Sequence, residues 1–343
     1  MLGKRRVATV ALDLVRRLKR NRLGQYLVER AKCSYALSRH VEGFRSWLIA
    51  AAQPKDMPVE RRPFSTQVTS DSVPLRSTPD AQWLQPQATI SRHHFAKVTG
   101  TRKKVSVIFN YFEKESTVFD AIEALRNQAW QRCSPEDIEI ILVDDGSQNE
   151  QLLEKLPEDV LYLWQRKVGY GICRAKNTGA RLANGDYLIF LDPDIVVNRE
   201  YFDAALEQFA LYGDRVVQCG YLRDYHFEGC PDPRTEFGVW VRSDRPTARF
   251  YQIAGGNLAI SRGLFFETRG FDEDLIYGGV EDLLFGYHLS KLIGVSILFN
   301  RKMEGRHIPH PPSAAHAAPE QSWEIVKLKW PEFYLDYVER GIR

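Results

Sequence analysis

Residues 171–194 read GICRAKNTGARLANGDYLIFLDPD, and this segment is the most informative about the architecture. It predicts a helix that ends at Asn184-Gly185, followed by a strand that is apolar along its length. Upstream, apolar runs alternate with helical patterns at 103–112, 117–130, 138–147, 150–156 and 160–165. Strands that are apolar throughout are typical of a parallel sheet covered by helices on both faces. We therefore predict an α/β domain with a mostly parallel sheet flanked by helices.

The composition is that of an ordinary globular chain. Of the 343 residues, 44% are hydrophobic and 27% are charged, which excludes a disordered or collagen-like chain. The net charge of +3 gives no broad basic surface, so no nucleic-acid partner is expected. The five cysteines form no Cys-x-x-Cys pair, which argues against a disulfide framework or a zinc ribbon and favours a reducing compartment. No apolar run reaches about 18 residues and no signal peptide is recognised, so a cytoplasmic location is expected.

Composition divides the chain into four segments. A helical N-terminal segment, a proline-rich linker, the α/β domain and a C-terminal helical tail are predicted at 1–52, 53–102, 103–310 and 311–343. The first segment has Val7, Val10, Leu14 and Leu18 at helical spacing, with arginines elsewhere around the helix. Such a basic extension packs on its own protein with its basic face in solvent, or it makes a peripheral contact with the anionic inner face of a membrane. Its arginine-rich start also resembles an organelle transit sequence.

Polar side chains end the predicted strands. In open α/β sheets, ligands bind beyond the carboxyl ends of the strands. The candidates at these ends are Asn110, Asp144, Asp145, Asp192 and Asp194. Acids as close as Asp192 and Asp194 repel each other unless a cation compensates them, and their oxygen atoms suit Mg²⁺ or Mn²⁺. The alternatives are a turn with solvated acids at this pair, and an Asx-turn that leads into the next helix at Asp144 and Asp145.

Two glycines precede a helix that carries basic and amide side chains. Gly169 and Gly171 come shortly before Arg174, Lys176 and Asn177, which lie in the early turns of this helix. Side chains of this kind can meet phosphate oxygens or sugar hydroxyls. The segment is neither a GxGxxG fingerprint nor a Walker loop.

Five motifs occur in order along the chain: VSVIFNYFEKES, IILVDDGS, GICRAKNTGARLANGDYLIFLDPD, GGNLAISR and GFDEDLIYGGVEDLLFGYHL. Together they resemble a nucleotide-sugar glycosyltransferase of the GT-A fold, family two, over about 103–310. The end of this block, GGVED followed by HIPHP, is most similar to the bacterial chondroitin-polymerase and galactosyltransferase-type C-terminal motif group. The resemblance implies a GT-A, Rossmann-like sheet, a UDP-sugar donor and a Mn²⁺ or Mg²⁺ ion.

The resemblance also implies donor-binding roles. The residues that match such positions are Asn110, Asp144, Asp145, Arg174, Asn177, Asp192, Gly256 and Asn257. Asn110 and Asp145 are expected to border the uridine, with Asp144 beside them. Arg174 and Asn177 are expected to face the ribose, the diphosphate or the donor sugar. The segment Gly255-Gly256-Asn257 matches a segment that lines the pocket for the acceptor and the donor sugar.

A metal site is implied at the DxD pair. Asp192 and Asp194 match this pair, in which the first acid commonly faces the ribose or sugar and the second ligates the metal. His307 matches the histidine that completes the metal coordination in related enzymes. His310 is a second candidate in the same proline-rich segment, and either histidine can instead be structural.

Glu281 and Asp282 match an acidic pair near the acceptor, in which the second acid is usually the catalytic base. The alternative is favourable charge at a helix N-terminus. A positioned carboxylate can take the proton of an acceptor hydroxyl, while a divalent ion stabilises the leaving diphosphate. The predicted function is a metal-dependent, inverting glycosyltransferase that moves a sugar from a UDP-sugar to a hydroxyl of a glycan, lipid or peptide. The alternatives are a retaining enzyme resembling the GalNAc-transferases and a catalytically silent nucleotide-sugar-binding module.

Overall fold

The computed structural model of the chain describes residues 88–90, 102–148, 151–225, 228–230, 232, 247–309 and 319–339. The predicted N-terminal helix at 1–52, most of the predicted linker, and His310 lie outside these residues. The chain divides into two compact units, of which one consists of Met1–Ser72 and Asp224–Gly238. The other consists of Val73–Arg223 and Val239–Arg343 and contains the sheet and the predicted site residues.

The larger unit is built on a mixed sheet. In the described part of the chain its strands are β1 (Ala88–Ile90), β2 (Lys103–Tyr111), β3 (Ile138–Asp144), β4 (Val160–Gln165), β5 (Gly185–Leu191), β6 (Ile195–Val197), β7 (Val216–Arg223), β8 (Thr247–Ala248), β9 (Asn257–Ser261) and β10 (Ser296–His307). Their order is β1-β4-β3-β2-β5-β9-β7-β10-β6, and β8 pairs with β10. Strands β4, β3, β2 and β5 are parallel neighbours, whereas β9 runs antiparallel to both β5 and β7. Strand β1 lies within the predicted linker and pairs antiparallel with β4.

Helices flank this sheet. In the described residues they are α1 (Glu115–Arg126), α2 (Gln151–Lys155), α3 (Ile172–Leu182), α4 (Tyr201–Tyr212), α5 (Arg262–Glu267), α6 (Glu281–Tyr287), α7 (Pro319–Lys329) and α8 (Pro331–Tyr334). Short 3₁₀ turns occur at Pro135–Asp137 and Phe250–Gln252, and π turns at His288–Leu292 and Leu335–Glu339. None of the helices in the described ranges is long and apolar enough to cross a membrane. The predicted α/β architecture, a sheet flanked by helices, is confirmed.

Helix α1 differs from its predicted span, 117–130. It ends at Arg126, and Trp130 has a positive φ of 54° that no helix accommodates. The carboxylate of Asp203 on α4 accepts a hydrogen bond from the backbone N–H of Arg132 at 2.7 Å. This bond holds the loop after α1 away from the helical path. Helical periodicity in the sequence extends past the end of the helix because it does not register this tertiary contact.

The parallel register brings several strand ends to one edge of the sheet. Phe109 of β2 lies opposite Leu142 of β3 and Leu191 of β5, so the residues that follow these three positions are neighbours. Helix α3 packs closely on β2 because Gly179 has no side chain. A Cβ atom at this position would clash with the side chain of Ile108. The first turns of α3 are thereby fixed beside the same edge.

The smaller unit contributes a tight turn to the described residues. Within it, the N–H of Tyr225 donates to the carbonyl of Cys230 at 3.1 Å, and the N–H of Gly229 donates to the carboxylate of Asp224 at 2.8 Å. Cys230 is disulfide-bonded, so the sequence argument against disulfides does not hold for this cysteine. In the larger unit, Cys133 and Cys173 are buried thiols.

Candidate active site

A cavity of about 280 Å³ opens at the carboxyl edge of β2, β3 and β5. Its lining consists of Asn110, Tyr111, Phe112, Lys114, Asp145, Lys167, Tyr170, Ile172, Ala175, Asp192, Pro193, Asp194 and His307. Five predicted site residues therefore meet here, namely Asn110, Asp145, Asp192, Asp194 and His307. Parallel strands explain this convergence for the first four, since their carboxyl ends share one edge.

Asp145 lies at the base of the cavity and is surrounded by donors. Its carboxylate accepts the amide of Gln165 at 2.8 Å and the ammonium of Lys167 at 3.1 Å, and the guanidinium of Arg174 lies 3.5 Å away. Burial raises the pKa of Asp145, although these three donors oppose the shift. The guanidinium of Arg174 also donates a hydrogen bond to the carbonyl of Arg166. Arg174, which was predicted to bind the nucleotide-sugar, is therefore bonded to the main chain of the protein.

Asp144 does not line the cavity. Its side chain is fully buried, and it accepts the N–H of Ser147 at 2.7 Å and the hydroxyl of Tyr162 at 2.8 Å. Burial raises the pKa of this carboxyl, whereas its bonds to Ser147 and Tyr162 oppose the shift. This is the Asx-turn that the sequence left open, and it places Asp144 behind Asp145 rather than facing a ligand.

Two asparagines of the predicted site are buried and hydrogen-bonded to other groups of the protein. The buried amide of Asn177 donates to the carbonyl of Phe271 and to the carboxylate of Glu273, and its oxygen accepts the N–H of Phe271 at 2.9 Å. Asn257 is fully buried, where it accepts the hydroxyl of Tyr201 at 2.7 Å and donates to main-chain carbonyls of β7 and β10. The polar atoms of both side chains are hydrogen-bonded to other groups of the protein, so neither side chain is placed to contact a nucleotide-sugar donor directly.

Asp192 begins the turn after β5 and faces the cavity. Its N–H donates to the carbonyl of Gly256 at 2.9 Å, and a Cβ at Gly256 would clash with the carboxylate. Gly256 therefore shapes the site through close approach of its backbone. Burial raises the pKa of Asp192 to about 6, against an opposing contribution from Lys176 and with a further increase from Asp194. The buried Oδ1 of Asp192 has no hydrogen-bond partner in the described residues.

Asp194 and His307 come together through an antiparallel pair of strands. Ile195 of β6 is registered with His307 of β10, and the N–H of Ile308 donates to the carbonyl of Asp194 at 2.8 Å. The Nε2 atom of His307 lies 3.9 Å from Oδ1 of Asp194. The other carboxylate oxygen, Oδ2, receives the ammonium of Lys114 at 3.1 Å. Lys114 is not among the site residues predicted from the sequence. The only indication in the sequence is its position shortly after the C-terminal end of β2.

Glu281 and Asp282 begin α6 beside this edge. The N–H of Gly255 donates to Oδ2 of Asp282 at 2.8 Å, and a Cβ at Gly255 would clash with the same carboxylate. The side chain of Asp282 is 31% exposed. Burial and the charge of Asp282 raise the pKa of Glu281. The carboxylate of Asp282 is thus held firmly and remains partly exposed, while the pKa of its neighbour is raised.

Lys176 is a buried lysine that interacts electrostatically with both acidic groups of the site. Its side chain is 1% exposed, and its ammonium lies 3.8 Å from Oδ1 of Asp282 and 5.0 Å from the ring centre of Phe271. Burial lowers its pKa, but the charges of Asp282, Asp192 and Glu281 outweigh that effect and raise it. The sequence grouped Lys176 with residues that meet phosphate, whereas the structure turns it inward as a buried counter-charge.

The residues at the DxD pair fit a divalent cation by type. In the described ranges, no group of three or more His, Cys, Asp or Glu side chains is already gathered as a metal site. However, the carboxylates of Asp192 and Asp194 and the imidazole of His307 are ligands that Mn²⁺ or Mg²⁺ accepts. The unbonded Oδ1 of Asp192 is a buried acceptor for which a cation would be a suitable partner.

Comparison with known proteins agrees with this geometry. Residues 106–265 match the profile of Glycosyl transferase family 2. The Probable N-acetylgalactosaminyltransferase 9 of Caenorhabditis elegans is 29% identical over 211 residues, covering 52% of this chain and 34% of that protein. Chondroitin synthase of Pasteurella multocida is 24% identical over 280 residues, covering 69% of this chain and 28% of that protein. The chain thus spans about a third of the length of these curated relatives.

A solved structure of GalNAc-T7 with UDP, GalNAc and Mn²⁺ has the same fold, with a TM-score of 0.54 and 20% identity, covering 70% of this chain and 52% of that chain. The fold and the site therefore define a domain of the GT-A glycosyltransferase type. More particularly, residues 106–265 match the model of Glycosyl transferase family 2, to which this part of the chain is similar. The resemblance predicted from the five motifs is confirmed.

Proposed function

We propose that the chain is a metal-dependent, inverting glycosyltransferase that moves a sugar from a UDP-sugar to an acceptor hydroxyl, with Asp282 as the base. The observation that carries the proposal is the held but accessible carboxylate of Asp282, 3.8 Å from a lysine that also interacts electrostatically with Asp192. A base and a leaving-group site are thereby kept on one rigid framework.

The cavity is the proposed donor site. Asp145, Lys167 and Asn110 line its inner part, and their amide, ammonium and carboxylate groups suit a base and a ribose. The solved GalNAc-T7 complex contains UDP and Mn²⁺, which supports the same ligand class for this chain. The metal would be held by Asp192, Asp194 and His307, and when bound it supplies Lewis-acid stabilisation of charge on the departing diphosphate.

Asp282 is proposed to take the acceptor proton. Its Oδ2 accepts one hydrogen bond from Gly255 and retains lone-pair capacity for the acceptor O–H. As the proton moves to this carboxylate, the acceptor oxygen bonds to the anomeric carbon and the bond from that carbon to the diphosphate oxygen breaks. One base and one leaving group on opposite sides of that carbon give direct displacement with inversion.

The acceptor class is proposed from the relatives, among which a chondroitin synthase and an N-acetylgalactosaminyltransferase act in glycan synthesis by their names. A glycan acceptor is favoured, and a lipid or peptide carrier remains part of the proposal. A cytoplasmic location with peripheral membrane contact through the basic segment at 1–52 is proposed as well. Binding of the full chain to anionic vesicles, lost when residues 1–25 are removed, is the test of that contact.

Turnover tests the proposed function. UDP release is measured with a panel of UDP-sugars in the presence of Mn²⁺, with and without candidate glycan acceptors. Asp194→Ala should abolish metal-dependent turnover, and Asp282→Asn should lower kcat by at least about 100-fold, the lower edge of general-base contributions. Asp186→Asn is the matched control, because Asp186 is an exposed acid that pairs with Arg102. If Asp282→Asn worked at the parental rate, the base assignment would be wrong.

A second candidate is a retaining enzyme of the GalNAc-transferase kind. The similarity to N-acetylgalactosaminyltransferase 9 favours it. The anomeric configuration of the first-formed product, read by NMR, separates the two reactions. A chain that binds UDP-sugars but turns over none of them would instead be a catalytically silent binding module.

A further inference from the structure

We propose that Lys114 and the divalent cation compete for Asp194, and that Lys114 transfers to the phosphates of the nucleotide when the cation binds. Metal and nucleotide would then bind cooperatively, with Lys114 as the link between them. This inference rests on the proposed function, because it assigns a role to a residue of the same donor site.

Lys114 is placed for this role by the loop between β2 and α1. Its side chain lines the cavity and is 16% exposed, whereas that of Asp194 is 9% exposed. The ammonium lies 3.1 Å from one carboxylate oxygen of Asp194, and the imidazole of His307 lies 3.9 Å from the other. One carboxylate therefore serves both a lysine and a proposed metal ligand.

Competition follows from these contacts. A cation that takes Asp194 as a ligand meets the charge of the ammonium already bound there. Because both side chains are poorly solvated, this repulsion is weakly screened. The cation thus binds most readily when the ammonium has another partner.

A nucleoside diphosphate supplies such a partner. Lysine carries a compact charge on a flexible four-carbon stem and binds phosphates as a point charge. The other cations at the site have fixed partners: Lys167 is bound to Asp145 and lies over the ring of Phe112, and Lys176 is enclosed against Asp282. Lys114 is the lysine whose partner the metal would also require.

The link has a thermodynamic consequence. If the nucleotide relieves the competition, then UDP raises the affinity for Mn²⁺, and Mn²⁺ raises the affinity for UDP by the same factor. Removing the charge of Lys114 should strengthen the binding of Mn²⁺ alone and weaken the mutual effect. A residue that only bound phosphate would leave the binding of Mn²⁺ alone unchanged.

Calorimetric titration of the full chain tests the inference. Mn²⁺ is titrated with and without UDP, and UDP with and without Mn²⁺, for the parent, Lys114→Gln, Lys114→Arg and Lys155→Gln. Lys155 is the control, because it forms a lysine–carboxylate ion pair with Glu115 that is more exposed and lies outside the cavity. For Lys114→Gln we expect about 10-fold tighter binding of Mn²⁺ alone and about 10-fold weaker binding of UDP at saturating Mn²⁺, within the usual range of coupling. Lys114→Arg should retain the parental pattern.

Three results would overturn the inference. Lys114→Gln could bind Mn²⁺ alone with parental affinity, Lys155→Gln could show the same shift, or Lys114→Arg could behave like the glutamine variant. In each case the parent still binds UDP and Mn²⁺, so the proposed function stands. A parent that binds neither UDP nor Mn²⁺ would refute the proposed function together with this inference.

Discussion

Replacing Lys176 by methionine should destabilise the protein by about 3 kcal/mol at pH 8 and by clearly less at pH 5. The ammonium is buried and lies 3.8 Å from Oδ1 of Asp282. At that separation the attraction is about 4 kcal/mol for an effective dielectric constant of about 20. Removing one partner of a buried pair costs about 3–5 kcal/mol, and the partial exposure of Asp282 places this case at the lower end.

The pH dependence follows from the carboxylates. The pKa of Lys176 is raised, so the ammonium stays charged at both pH values and the pH dependence comes from the acids that face it. Burial raises the pKa of Asp192 to about 6, and the pKa of Glu281 is also raised. At pH 8 the methionine variant therefore leaves several negative charges uncompensated, whereas at pH 5 Asp192 is mostly protonated in the folded state. The loss of stability should shrink as the pH falls through about 6.

Urea unfolding of the full chain at pH 8 and pH 5 measures both numbers. Lys302→Met is the control, because Lys302 forms an exposed ion pair with Glu207 that should contribute less than about 1 kcal/mol. Adding Asp192→Asn to the Lys176→Met chain should restore part of the stability at pH 8, since one uncompensated charge is removed. An equal loss from Lys176→Met at both pH values would refute the reasoning, because packing alone does not titrate in this range.

Three further outcomes follow from single side chains. Asn177→Ala should cost about 2 kcal/mol in urea unfolding, because buried hydrogen bonds to Phe271 and Glu273 are lost, while UDP affinity changes little; a selective loss of UDP binding would contradict this. Gly255→Ala should lower kcat by at least about 10-fold with Mn²⁺ and UDP binding retained, because a Cβ displaces the carboxylate of Asp282, the proposed base. Burial lowers the pKa of His288 to about 4, so the folded state loses stability as the pH falls from about 6.5 to 4. His288→Phe should remove up to about 3 kcal/mol of that loss, read from thermal melts across this range, and an unchanged pH profile would count against it.

The sequence was most informative where the chemistry depends on strand order. Continuous apolar runs predict parallel strands, and parallel strands bring Asn110, Asp145 and Asp192 to one edge without any knowledge of distant contacts. His307 was harder, because it reaches Asp194 through the antiparallel pairing of β6 with β10. That pairing joins segments about a hundred residues apart, and only the matched family motif pointed to it.

Two residues predicted to bind the donor lie outside the lining of the cavity for a common physical reason. Asn177 and Asn257 have the right residue type for sugar recognition, but their amides are saturated by main-chain groups that come from distant segments. Local sequence does not reveal whether a polar side chain has spent its hydrogen bonds inside the protein. The reverse holds for Lys114, since a lysine after a strand is ordinarily a solvated surface residue. Its contact with Asp194 depends on the whole sheet.

The charges of the site explain why donor and metal are best treated together. Its carboxylates are Asp145, Asp192, Asp194, Glu281 and Asp282, and its cationic side chains are Lys114, Lys167, Arg174 and Lys176. Each cation lies close to at least one of these acids, so the described residues of the site offer no surplus positive charge with which to receive a diphosphate. Under the proposed function, a nucleoside diphosphate that enters would therefore have to draw a lysine from its carboxylate, and the carboxylate would then need a new counter-ion. A divalent cation meets that need, and for this reason metal and nucleotide should enter as a linked pair.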